Sequence, residues 1–112
     1  MGMRITFAAL GFVVALVGCT EATKAFDEVA RRSAKAAVAE TLTTRFPLVP
    51  KAEVTPFTDC IIGNASGIEI RQFAKAAVIG GDDTTVALIS DILGRPATQQ
   101  CAGKASLAAL AG

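Results

Sequence analysis

The sequence predicts an all-α fold, a small helical bundle of four to five helices closed by one disulfide and preceded by an N-terminal leader. Three observations carry that prediction. Hydrophobic residues make up 52% of the chain but aromatics only 5%, with no Trp or Tyr, so the apolar mass is Ala, Val, Ile and Leu, which favours helices. From Thr55 onward, residues that start helices and residues that stop them alternate at short intervals. Of three cysteines, one stands at the end of the leader, leaving Cys60 and Cys101 as a pair.

The leader comes first. Arg4 and the amino terminus supply positive charge, and Ile5 to Val17 form an apolar run. That run is shorter than the ~20 residues a bilayer-spanning helix needs, and it fits the apolar region of a secretory signal. It ends in Leu16-Val17-Gly18-Cys19: two apolar residues, a small one and a cysteine. This resembles the lipobox of bacterial lipoprotein precursors. The resemblance implies a signal peptide over residues 1–18, cleavage between Gly18 and Cys19 by a type II signal peptidase, and acylation of Cys19 with diacylglyceryl and a further chain such as palmitate. Two or more chains anchor a protein stably where one gives only marginal binding. Thr20 is not the aspartate that the resemblance associates with retention in the inner membrane, so an outer-membrane anchor with the body in the periplasm is expected over an inner-membrane one. The partner so implied is membrane lipid, held through acylated Cys19.

Residues 19–46 read as the lipidated N-terminus and a tether helix, and residues 47–112 as the disulfide-stapled helical domain. In the tether helix, Asp27 with Arg31 and Glu28 with Arg32 are acid-first pairs at i, i+4. Opposite them Phe26, Val29, Ala30, Ser33, Ala36 and Ala37 form an apolar stripe. Val38, Leu42 and Phe46 continue the charged side instead, so the apolar face is expected to change over near Val38 to Glu40. Either the helix bends there or its first half meets something else, such as the membrane surface or an envelope protein partner. Phe26, Val29, Ala30, Ser33 and Ala37 are the candidate partner face.

Pro47, Pro50 and Pro56 mark a connecting loop. Thr55 is then an N-cap with Pro56 at the first helical position, followed by Phe57, Cys60, Ile61 and Asn64 on one face. A strand over Lys51 to Ile62 is the competing reading, opposed by its prolines. Ser66-Gly67-Ile68-Glu69 has capping-box spacing and starts a helix at Gly67 with the stripe Ile70, Phe73, Ala74 and Ala77, stopping at Gly80-Gly81. Asp82 or Asp83 caps a fourth helix carrying Leu88, Ile89, Ile92 and Leu93, which ends at Gly94 before Pro96. Ala97 to Gly112 is Ala-rich and helical, but Cys101, Ala105 and Ala108 share one face while Leu107 and Leu110 point elsewhere.

Charge and residue usage exclude much chemistry. The whole chain carries a formal +1, and losing Arg4 with the leader leaves ten basic against ten acidic residues, so nucleic acid is not an expected partner. The chain has no His, and Met1 and Met3 both lie in the leader, which removes most metal, haem and general-base chemistry; no cofactor and no metal are expected. With Cys19 committed to lipid in an oxidising compartment, Cys60 and Cys101 pair most simply as a structural disulfide. A redox-active role finds no C-x-x-C and no cationic neighbour. Asp82, Asp83 and Asp91 lack EF-hand spacing. No spacing selects a nucleophile and base from Ser66, Ser90, Ser106, Lys75 and Lys104, so no catalytic residue is named and an enzyme is not expected.

Thr58-Asp59-Cys60-Ile61-Ile62, Asn64-Ala65-Ser66 with Glu69-Ile70, and Arg95-Pro96 before Cys101 are similar to a group of small, uncharacterised secreted bacterial proteins. That resemblance implies a fold pattern and a disulfide but no activity, since the chain has no dinucleotide-binding glycine motif and no cysteine set for an iron–sulfur cluster. The expected function is that of a membrane-anchored lipoprotein, a structural or protein-interaction accessory module of the cell envelope. The alternative is binding of a small apolar or lipid ligand within the bundle.

Overall fold

A computed structural model describes the backbone of residues 2–111 and the side chains of residues 24–108. Gly18, Cys19 and the rest of the leader's side chains, with Leu110, lie outside the described side chains. The chain forms five α-helices and no strand among the described residues: α1 (Gly2–Arg45), α2 (Val54–Gly63), α3 (Gly67–Ile79), α4 (Asp83–Leu93) and α5 (Pro96–Ala111), with one 3-10 turn at Lys51–Glu53.

Local signals set most of these boundaries. At the start of α3 the Glu69 N–H donates to Ser66 Oγ at 3.2 Å and the Ser66 N–H donates to Glu69 Oε1 at 2.8 Å, both halves of the capping box. At the start of α4 the Thr85 N–H donates to Asp82 Oδ1 at 3.1 Å, and Thr85 Oγ1 accepts from the Asp82 N–H at 3.3 Å. Asp82, not Asp83, is therefore the cap. Gly80 ends α3 at φ 91°, a conformation that side chains with a Cβ rarely adopt. Gly94 ends α4 in right-handed geometry, and Pro96 opens α5 with Arg95 as its cap residue.

Successive helices run in opposite directions. Lys35 of α1 pairs with Asp59 of α2 at 3.2 Å. Asp27, Ala30 and Arg31 of α1 share a small cleft with Gly67, Ile70 and Arg71, so the start of α3 lies beside the upper part of α1. Arg45 at the foot of α1 pairs with Asp83 at the start of α4. Arg95 after α4 returns to Asn64 and Glu69 at the α2–α3 junction. The result is an up-and-down bundle in which α1 and α3 are parallel neighbours and pack most extensively.

The core is one apolar cluster: Ala34, Val38 and Leu42 of α1, Ile61 and Ile62 of α2, Ile70 and Phe73 of α3, and Ile89 and Ile92 of α4. Phe73 is its largest fully buried side chain. Ala34 and Ala37 let α3 approach α1 closely, and an added Cβ on Gly81 would meet Thr41 Oγ1 at 3.0 Å. None of the described residues of α5 joins the buried cluster; α5 is held by Cys101, by the fully buried Thr98 and by its Arg95 cap.

Several expectations need correction. The apolar face of α1 does not change over near Val38 to Glu40: the core-facing stripe runs through Ala30, Ala34, Ala37, Val38, Thr41 and Leu42 without interruption. Ala34, four residues from both Ala30 and Val38, is the link, and it was absent from the stripe read in the sequence. Asp27 with Arg31 and Glu28 with Arg32 are not among the ion pairs formed by described residues. Thr55 is not the cap of α2, which starts at Val54 after Glu53; Pro56 sits inside the first turn, where its missing N–H leaves no helical bond unmade. In α3 it is Ala76 that is buried, while Ala77 is exposed.

Candidate functional site

The residues singled out for chemistry scatter over the fold. The Ser66 hydroxyl is occupied in the capping box, Lys75 is exposed on α3, Ser90 on α4 and Lys104 on α5. Asp82 caps α4, Asp83 pairs with Arg45 and Asp91 with Arg95, so the three carboxylates serve three separate local contacts. Among the described residues no three His, Cys, Asp or Glu side chains gather to hold a metal ion.

Cys60 and Cys101 form a disulfide with a Cα–Cα distance of 5.6 Å. Cys60 is buried in α2 and Cys101 half-buried in α5, so the bond ties the last helix to the middle of the bundle.

A cluster that the sequence did not reveal sits where three helix ends meet. The Arg95 guanidinium donates to Glu69 Oε1 at 2.9 Å and Oε2 at 2.6 Å, to the Asn64 carbonyl oxygen at 2.8 Å and to Asp91 Oδ2 at 3.0 Å. The fork geometry matches the Glu69 carboxylate in a bidentate pair. Hydrogen bonds from Arg95, and then from the Ser66 N–H, lower the Glu69 pKa from 4.5 to about 2, against the opposing effect of burial. Glu69 thus closes the α3 cap and receives Arg95 at once. The only sequence signal was the capping-box glutamate; its partner lies 26 residues away.

Of the candidate partner face, Phe26 and Val29 are 76% and 59% exposed. Ala30 is half-buried against the core, Ser33 is half-buried, and Ala37 is a core residue at 4% exposure. The exposed apolar part of that face is therefore Phe26 and Val29, with Ala25 and Ala36 exposed on the same side of the helix. Elsewhere Leu48, Ile68, Val78, Ile79 and Leu107 are exposed.

An open cleft of about 250 Å³ lies between α3 and α4, with Phe73, Ala76, Ile79, Leu88, Gln72 and Lys75 among its lining residues. Among the described residues no helix is long and apolar enough to cross a membrane. Comparison of the chain with family models, with curated proteins and with solved structures finds no match to any.

Proposed function

We propose that this chain is a lipid-anchored accessory module of a bacterial envelope, attached through acylated Cys19, facing the periplasm from the outer membrane, and acting through its surface instead of an active site. The observation that carries this reading is the sequence Leu16-Val17-Gly18-Cys19 at the end of a short apolar run. The helix that contains Cys19 is the same α1 that supplies Ala34, Val38 and Leu42 to the core. The exposed Phe26 and Val29 fall between anchor and core.

Intact-mass analysis of protein taken from membranes tests the anchor. The expected product begins at Cys19 and carries the mass of its acyl chains, and C19S leaves the membrane fraction. An unmodified N-terminus elsewhere refutes the reading. Co-purification from detergent-solubilised envelope then identifies the partner.

The α3–α4 cleft favours a second reading, binding of a small apolar or lipid molecule. Its apolar floor of Phe73, Ala76 and Leu88 suits an acyl segment, but at about 250 Å³ it is below the ~300–1,000 Å³ usual for small-molecule sites. Binding of a fluorescent fatty acid that A76F abolishes would favour this reading; no binding refutes it.

A further inference from the structure

Helix α5 lies chiefly against α2 and also touches the 3-10 turn and α4, yet little noncovalent packing holds it there. Among its described residues only Thr98 is fully buried, and the Thr98 hydroxyl has no hydrogen-bond partner. Past Thr98 the half-buried side chains are Cys101, Ala102, Ala105 and Ser106, all small. Leu107, the large aliphatic side chain of the described part of α5, is 68% exposed. Alanines remove little apolar area from water, and a buried hydroxyl left unpaired opposes docking. With Gly103 in its middle, a 16-residue helix cut loose from the bundle is marginal in water.

Two ties remain, and they differ in kind. Arg95 joins the α4–α5 junction to Glu69 and to the Asn64 carbonyl, so the chain is fixed as far as Arg95 without any contribution from α5 itself. Beyond that point the tie is the Cys60–Cys101 bond. The two sulfurs are not equally open: Cys60 is 4% exposed, whereas Cys101 is half-buried. Thiol–disulfide exchange depends on which sulfur an attacking thiolate can reach. Because this pair is the one attacked, the exchange needs neither a C-x-x-C motif nor an activated thiolate on this chain.

We propose that the Cys60–Cys101 disulfide is a redox-sensitive latch: a dithiol donor opens it at Cys101, and α5 then swings off α2 about Arg95 while α1 to α4 stay folded. The donor thiolate attacks Cys101 Sγ, the bond to Cys60 Sγ breaks, and Cys60 leaves as a thiolate. The donor's second thiol then displaces Cys101 from the mixed disulfide. Two electrons and two protons pass to the cysteines, and the donor leaves as its own disulfide. In the reduced form Cys60 and the flank of α2 around it are uncovered. The latch needs only the fold and holds with or without acylation of Cys19.

Dithiothreitol tests it on the full-length oxidised protein without denaturant, with hydrogen exchange as the readout once intact mass shows that the disulfide is reduced. The α5 amides should exchange roughly 100-fold faster, those of α1, α3 and α4 should keep their protection, and reoxidation should restore α5. Glutathione, a monothiol, traps the first step. After an acid quench, peptide mass mapping, which separates Cys19, Cys60 and Cys101, should find it on Cys101. An α5 that stays protected after reduction overturns the latch, and so does loss of protection through all the helices together. A disulfide that dithiothreitol reduces only in denaturant, or glutathione found on Cys60, overturns the route through Cys101.

Discussion

Thr98 is the residue at which substitution should improve this fold. It is fully buried in the first turn of α5, and its hydroxyl has no hydrogen-bond partner. The other three buried threonines show what is missing: Thr58 Oγ1 donates to the Val54 carbonyl at 2.7 Å and Thr41 Oγ1 to the Ala37 carbonyl at 2.8 Å, each one turn back, and Thr85 Oγ1 accepts from the Asp82 N–H at 3.3 Å. One turn back from Thr98 is Gly94, in the junction before α5 begins. An unpartnered buried hydroxyl costs about 1–3 kcal/mol, and valine has nearly the same shape without that cost. T98V should therefore stabilise the oxidised protein by about 1 kcal/mol, which raises Tm by roughly 4–8 °C in a domain of this size. Thermal unfolding followed by circular dichroism reads this directly. T98S, which keeps the hydroxyl and loses a buried methyl, should lower Tm, and T58V, which gives up a made hydrogen bond, should not raise it. A T98V protein that melts at or below the wild-type temperature refutes the reasoning.

The remaining expectations concern the caps and ties of the bundle. Glu69 titrates at about 2 in the fold against 4.5 unperturbed, so its contribution is fully present above pH 4.5 and is lost as the pH falls toward 2; with solvent screening it amounts to roughly 1–2 kcal/mol. Urea midpoints of wild type and E69Q should differ at pH 7 and converge toward pH 2; a gap that stays constant with pH contradicts this. S66A removes the acceptor for the Glu69 N–H and should cost about 1 kcal/mol, measured by the same urea titration. Replacing both bridged cysteines by serine opens a loop of sequence separation 41, worth about 4 kcal/mol in the loop-entropy model. Because no described residue of α5 joins the buried apolar cluster, hydrogen exchange should show α5 losing protection first, ahead of α1, α3 and α4; uniform loss would contradict that order.

Signals confined to a few residues were legible. Ser66 with Glu69, the Gly80 stop and the Asp82 cap all act through hydrogen bonds or dihedral freedom inside one turn, so four residues of sequence contain the whole cause. The cysteine pair was legible by elimination. The start of α2 was misread because Thr55-Pro56 satisfies the N-cap preference locally, yet the preceding 3-10 turn at Lys51–Glu53 already fixes the chain direction and the helix begins at Val54. Arg95 gave no signal, since an arginine before a proline reads as a loop until the α2–α3 junction is brought to it.

The sequence by itself determined that this chain is helical, where most of its helices start and stop, and that Cys60 and Cys101 are available to each other. Only the tertiary structure decided which side of α1 is core. Two apolar stripes compete on that helix: Phe26 and Val29 on one, Ala34, Val38 and Leu42 on the other. Periodicity cannot rank them, because burial depends on what the neighbouring helices cover. Helix α3 lies on the second stripe because its alanines permit close approach and Val38 and Leu42 then meet Ile70, Phe73 and Ile89 in one cluster. Phe26 and Val29 are left outside by the same choice, and that is how the fold leaves an apolar pair exposed on the described part of α1 ahead of the core.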